Sequence, residues 1–181
     1  MKTIYLIAGH NGKGSGASSQ YGDEGEETIQ VRNDLAQALR NNSVDVKTDE
    51  DRMRLRDVIK WVSKAGKNDL ILDIHFNAFN GSANGTEVFV ANEHSYAEKT
   101  IAQKLCNAMS DALNTKNRGV KTESKTARRR IGILSGRPRH ALNVLIEVCF
   151  IDNESDMIKY DDRYWEMIDA LAKVLYDWAW E

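Results

Sequence analysis

Leu70-Ile71-Leu72-Asp73-Ile74-His75 is an apolar run interrupted by one acid and closed by a histidine. An apolar run of about four to eight residues reads as a strand of a parallel sheet, buried on both faces. Two other segments have the same form, Ile4-Tyr5-Leu6-Ile7-Ala8-Gly9-His10 and Val144-Leu145-Ile146-Glu147-Val148. Ligands of open α/β sheets bind beyond the carboxyl ends of the strands. The three segments therefore predict that His10, His75 and Glu147, far apart in sequence, meet at one sheet edge. That is the shape of a metal-dependent hydrolase.

Working outward, alternation of strands and helices sets the fold class. After a first strand over 3–8 comes a loop with Gly9, Gly12, Gly14, Gly16 and Gly22. A helix over 23–41 follows, with Val31, Leu35, Ala38 and Leu39 at helical period. Residues 44–48 read as a strand. A helix over 51–65 places Leu55, Val58 and Val62 on one face, with Gly66 as its stop. Beyond the strand ending at His75, residues 86–91 read as another strand. Ser95 and Glu98 form a capping box for a third long helix. The polar stretch 114–130 has weak strand character around Val120, and 131–134 reads as a short strand. The strand over 143–150 carries Glu147. Asn153 caps a last helix with Tyr164, Ile168, Leu171, Leu175 and Trp178 on its buried face. The order predicts a three-layer α/β sandwich, a mostly parallel twisted sheet with helices on both faces.

The 181 residues fit one domain, 1–181, and no separate binding module is expected. A net charge of -2 gives no general attraction to nucleic acid or to an anionic membrane. No segment approaches the ~20 apolar residues of a membrane span. Cys106 and Cys149 fall on apolar faces and read as free core thiols. The amino terminus reads as a strand rather than a signal peptide, so synthesis in the cytoplasm is expected. Oligomeric state leaves no mark in the sequence.

A catalytic zinc commonly has three protein ligands and one open position. His10, His75 and one glutamate would supply two neutral nitrogens and one anionic oxygen, with Glu147 as the proton carrier off the metal. The third ligand is sought at the start of the first helix, among Glu24, Glu26 and Glu27. Two of these are expected only to favour the positive helix end. Glu24 lies on the apolar stripe and is the choice, with Glu26 as the alternative. Asp73 shares a strand face with His75. It either orients that histidine or pairs with a core cation. His94 reads as a surface histidine and His140 as a loop residue. The segment 125–140 carries Arg128, Arg129, Arg130, Arg137 and Arg139 without an acid. It reads as a basic loop able to face substrate carboxylates.

These pieces resemble the zinc-dependent N-acetylmuramoyl-L-alanine amidases of bacterial cell-wall remodelling and phage endolysins. The matching stretches are Ala8-Gly9-His10 with Gly16-Ala17, the glutamate opening the first helix, and His75-Phe76-Asn77-Ala78. Gly85-Thr86-Glu87-Val88, Asn117-Arg118-Gly119 and the run from Val144 to Asn153 continue the match. It covers essentially the whole chain. Arg32 and Glu27 stand where the family places apolar residues, and Asp73 stands where a small residue is usual. The resemblance implies one zinc on His10, Glu24 and His75, with Glu147 catalytic. The reaction implied is hydrolysis of the amide between N-acetylmuramic acid and L-alanine in peptidoglycan. Asn77 and Arg137 are the candidate substrate contacts. The expected setting is an endolysin-like enzyme that reaches the cell wall after release by another protein. The alternative is a zinc carboxypeptidase-like hydrolase acting on stem peptides.

Overall fold

The computed structural model describes residues 2–136, 138 and 140–181. Its sheet has six strands: β1 (Thr3–Ala8), β2 (Asp45–Thr48), β3 (Leu70–Asn77), β4 (Thr86–Val90), β5 (Asn117–Thr122) and β6 (Leu142–Phe150), in the order β2-β1-β3-β6-β4-β5. Strands β2, β1, β3 and β6 run parallel. Strand β4 is antiparallel to β6, and β5 runs parallel to β4. β3 and β6 sit at the centre, which is why their sequences are almost wholly apolar.

The helices are α1 (Glu24–Asn41), α2 (Leu55–Val62), α3 (Tyr96–Leu113), α4 (Gly132–Ser135), α5 (Glu154–Asp162) and α6 (Tyr164–Trp180). One face of the sheet is covered by α1, α3, α5 and α6, which contribute Leu35, Leu105, Tyr160 and Leu171 to the larger core. The other face carries a smaller core with Tyr5, Ile7, Ile71, Phe89 and Leu145, roofed by α2 and α4. These two helices have only 8 and 4 residues. They leave the carboxyl-end half of that face uncovered.

Several predicted elements change in detail. The helix predicted over 51–65 begins only at Leu55, because Arg52 takes a left-handed conformation, φ 64°. Leu55 itself is 55% exposed at the cleft lip instead of buried. The strand predicted over 131–134 is the short helix α4. Glu123 accepts from Ile131 N at 2.8 Å and from Ser135 Oγ at 2.7 Å, closing the segment into a turn. The last helix is two, broken at Arg163, and the break lets Tyr164 pack edge-on against Tyr160. Cys106 and Cys149 are buried and free. Among the described residues no helix is long and apolar enough to cross a membrane.

Candidate metal centre

Strand register places the site. His75 is paired with Glu147, and Glu147 with Glu87 on its other side. Period-two alternation puts Asp73, His75 and Asn77 on the face that holds Ile7 and Leu145, the face with the short helices. The uncovered half of this face forms the floor of a cleft of about 1530 Å³. His10 arrives from beyond β1, and Glu24 reaches over the sheet edge from the first turn of α1. Side-chain ligand atoms of His10, Glu24 and His75 lie within 4.8 Å of one another. The two imidazoles meet edge to face with centroids 5.3 Å apart.

Small residues make this convergence possible. A Cβ on Gly9 would lie 2.3 Å from His75 Nε2, and one on Gly16 would lie 2.4 Å from Glu24 Oε2. A Cβ on Gly25 would strike the carbonyl of Gly12 at 2.1 Å, so α1 can start against the loop only with glycine there. Thr28 Oγ1 donates to the Gly9 carbonyl at 2.6 Å, tying the loop to the helix. His10 takes a left-handed φ of 53°, which turns the chain at the strand end. Asp49 braces the same loop. It accepts from Ala8 N at 3.1 Å, from Asn11 Nδ2 at 2.8 Å and from Arg32 Nη1 at 2.9 Å. That explains a buried arginine on the apolar stripe of α1.

Glu24 is 4% exposed. Its Oε2 accepts from Ala17 N at 2.8 Å, and its Oε1 accepts from Phe76 N at 3.2 Å and faces His75 Nδ1 at 3.0 Å. Burial opposes its charge, but the His75 ring and the Ala17 amide outweigh burial and hold the carboxyl below its ordinary value. Burial likewise opposes charge on His75, yet the Asp73 carboxylate and the bonds to Asp73 and Glu24 lift the ring well above its ordinary value. Both results show that the cluster attracts positive charge. Two imidazoles and a buried carboxylate, cradled by glycines and drawing in positive charge, form a donor set that fits a borderline cation such as zinc.

Glu26, by contrast, is exposed and pairs with Lys13 at 3.1 Å. Glu27 points to the other side of α1 and accepts from Tyr160 Oη at 3.0 Å. Glu147 adjoins the cluster through its pairing with His75 without joining it, and its Oε2 is buried with no hydrogen-bond partner among the described residues. Burial pushes its carboxyl up to about 8; His75 opposes the rise, and the Glu24, Glu87 and Asp73 carboxylates add to it.

Asn77 lines the cleft, donating from Nδ2 to Glu87 Oε1 at 2.7 Å and accepting from Ala78 N at 3.0 Å. Glu87 in turn pairs with Arg118 at 2.7 Å and with Lys121. These two cations hold its carboxyl below the ordinary range against the effect of burial. The Glu87–Lys121 pair was not singled out from the sequence. A lone acid inside the apolar run 86–90 was the available signal. Lys125, Arg128 and Arg130 of the basic loop reach the cleft wall. Arg137 lies outside the described residues. His140 sits at the opposite sheet end, where its Nε2 meets the Ala65 carbonyl at 2.7 Å. His94 Nδ1 is bonded to the Ala91 carbonyl.

Residues 4–176 match the family model described as N-acetylmuramoyl-L-alanine amidase. An uncharacterized cell wall amidase of Bacillus anthracis is 33% identical over 129 residues, 64% of this chain and 23% of that protein. Cwp6 from Clostridium difficile superposes with a TM-score of 0.81 at 29% identity, over 97% of this chain and 29% of Cwp6. The N-acetylmuramoyl-L-alanine amidase AmiC2 of Nostoc punctiforme shares the fold, with a TM-score of 0.82 at 19% identity over 99% of this chain and 98% of that one. The chain thus spans about a quarter of the length of the first two relatives.

Proposed function

The chain belongs to the N-acetylmuramoyl-L-alanine amidase family, and on that premise we propose that it hydrolyses the amide joining N-acetylmuramic acid to L-alanine in peptidoglycan. In this reading residues 1–181 act as one catalytic domain, with a single zinc held by His10, Glu24 and His75. The observation that carries it is the meeting of ligand atoms from these three side chains within 4.8 Å, with Glu147 paired beside His75. Zinc bound there supplies Lewis acidity toward the scissile carbonyl and acidifies water.

The remaining work falls to the chain. Glu147 takes the proton of the attacking water and passes it to the departing amine nitrogen. Its Oε2 has no hydrogen-bond partner among the described residues to release first. An apolar floor of Ile7, Phe89 and Leu145 beneath the cleft keeps the carboxyl poorly hydrated, so it carries a proton readily near neutrality. Asn77 keeps one amide proton for substrate after bonding Glu87. Lys125, Arg128 and Arg130 face the carboxylates of the stem peptide, for which a guanidinium fork is well suited. Action on the cell wall in an endolysin-like role belongs to the same proposal.

Digestion of purified sacculi by the zinc-loaded protein, with mass spectrometry of the products, tests the reading. New L-alanine amino termini on peptides released from otherwise intact glycan strands support it. Release of carboxyl-terminal amino acids would instead favour the carboxypeptidase alternative, and intact sacculi would refute both.

A further inference from the structure

Asp73 occupies an expensive position. It lies on the central strand β3, paired with Ile7 on one side and Leu145 on the other, and is 4% exposed. A buried carboxylate between two apolar residues needs a partner. Among the described residues it has one hydrogen-bond partner, the His75 ring, with Oδ2 at 3.1 Å from Nε2; its Oδ1 has none. The alternative of pairing with a core cation therefore finds no support, since no lysine or arginine among the described residues bonds to it.

The consequence lies on the other side of the ring. With Nε2–H donated to Asp73, the nitrogen that remains for a ligand bond is Nδ1, and Nδ1 faces Glu24 Oε1 at 3.0 Å. The hydrogen bonds on both sides of the ring fix its orientation, since turning it over would set carbons against the Asp73 and Glu24 carboxylates. We propose that Asp73 is a positioning residue for the metal centre: it holds His75 in the Nε2–H tautomer, aims Nδ1 at the ligand cluster and strengthens it as a donor. The inference rests on the assignment of His75 as a zinc ligand. It adds a carboxylate behind that ligand, where a serine or alanine would cost less to bury. Such outer carboxylates orient ligand histidines and typically account for about 10–100-fold in metal affinity.

The test is zinc affinity of the purified chain by competition with a chromophoric chelator, for wild type, Asp73→Ser and the near-isosteric Asp73→Asn. His10→Ala serves as the control for the site. Both Asp73 variants should bind zinc about 10–100-fold more weakly than wild type. Circular dichroism and thermal unfolding of the metal-free forms should show that both variants keep the fold at the assay temperature, so that a loss of affinity reports on the site. Nitrogen shifts of His75 in the zinc-loaded forms should show a protonated Nε2 and a ligating Nδ1 in wild type. In Asp73→Ser the Nε2–H signal should exchange faster. Zinc binding within about twofold of wild type in a folded Asp73→Asn or Asp73→Ser protein would overturn the inference while leaving the ligand set intact. Failure of wild type to bind zinc, or unchanged binding in His10→Ala, would instead overturn the ligand assignment beneath it.

Discussion

Replacing Glu147 with Gln separates the chemistry of this site from its stability. The fold pushes the carboxyl from 4.5 up to about 8, chiefly through burial and also through the carboxylates of Glu24, Glu87 and Asp73. A raised folded-state value means that the native state prefers the protonated form. The contribution of this group to stability is therefore complete below about pH 4.5 and is lost as pH rises through about 8. A rise from 4.5 to about 8 corresponds to at most ~5 kcal/mol. Glu147 borders the open cleft, and solvent there reduces the figure to about 2–4 kcal/mol. Gln keeps the shape and cannot ionise. Urea unfolding of both metal-free proteins between pH 5 and 9 should therefore show a difference that grows in favour of Glu147→Gln by about 2–4 kcal/mol. Comparing the two proteins cancels the titrating groups distant from Glu147. In the zinc-loaded form the same variant should keep its metal and lose about 10²–10⁴-fold in kcat. Parallel pH curves for the two metal-free proteins would refute the burial argument, and a near-wild-type kcat would remove Glu147 from proton transfer.

Other substitutions probe separate parts of the structure. Glu24→Gln should release zinc during dialysis, whereas Glu26→Gln, which loses a pair with the exposed Lys13, should retain it, as metal analysis will show. Asp49→Ala takes the buried carboxylate from Arg32, leaving it the half-exposed Asp51 and neutral oxygens of Asn33 and the backbone, and frees the loop around His10; chemical denaturation should register a loss of about 3 kcal/mol. Reversing the cleft-wall charges with Lys125→Glu and Arg128→Glu should raise KM on sacculi several-fold with little change in kcat, and the defect should shrink at high salt.

Much of the architecture could be read from periodicity, because β1, β3 and β6 are buried on both faces and their sequences show it. Their shared carboxyl edge then followed from parallel packing, and Glu24 from its place on the apolar stripe of α1. The antiparallel insertion of β4 between β6 and β5 was less visible. Strand direction depends on which edge of the sheet stays free, and residues 86–90 are apolar in either direction. The left-handed turn at Arg52 and the break at Arg163 arise from tertiary packing and carry no glycine or proline to announce them. Asp73 was ambiguous because alternation places it on the His75 face without revealing whether a cation stands opposite. Only the three-dimensional neighbours Ile7 and Leu145 decide that.

A structure of the zinc-loaded protein, with the metal located by anomalous scattering at its absorption edge, tests the central claim most directly. The account predicts one zinc bonded to a nitrogen of His10, Nδ1 of His75 and an oxygen of Glu24, at about 2.0–2.2 Å, with Glu147 nearby and outside bonding range. Zinc on Glu26, zinc bonded to Glu147, or zinc bound elsewhere on the chain would contradict it.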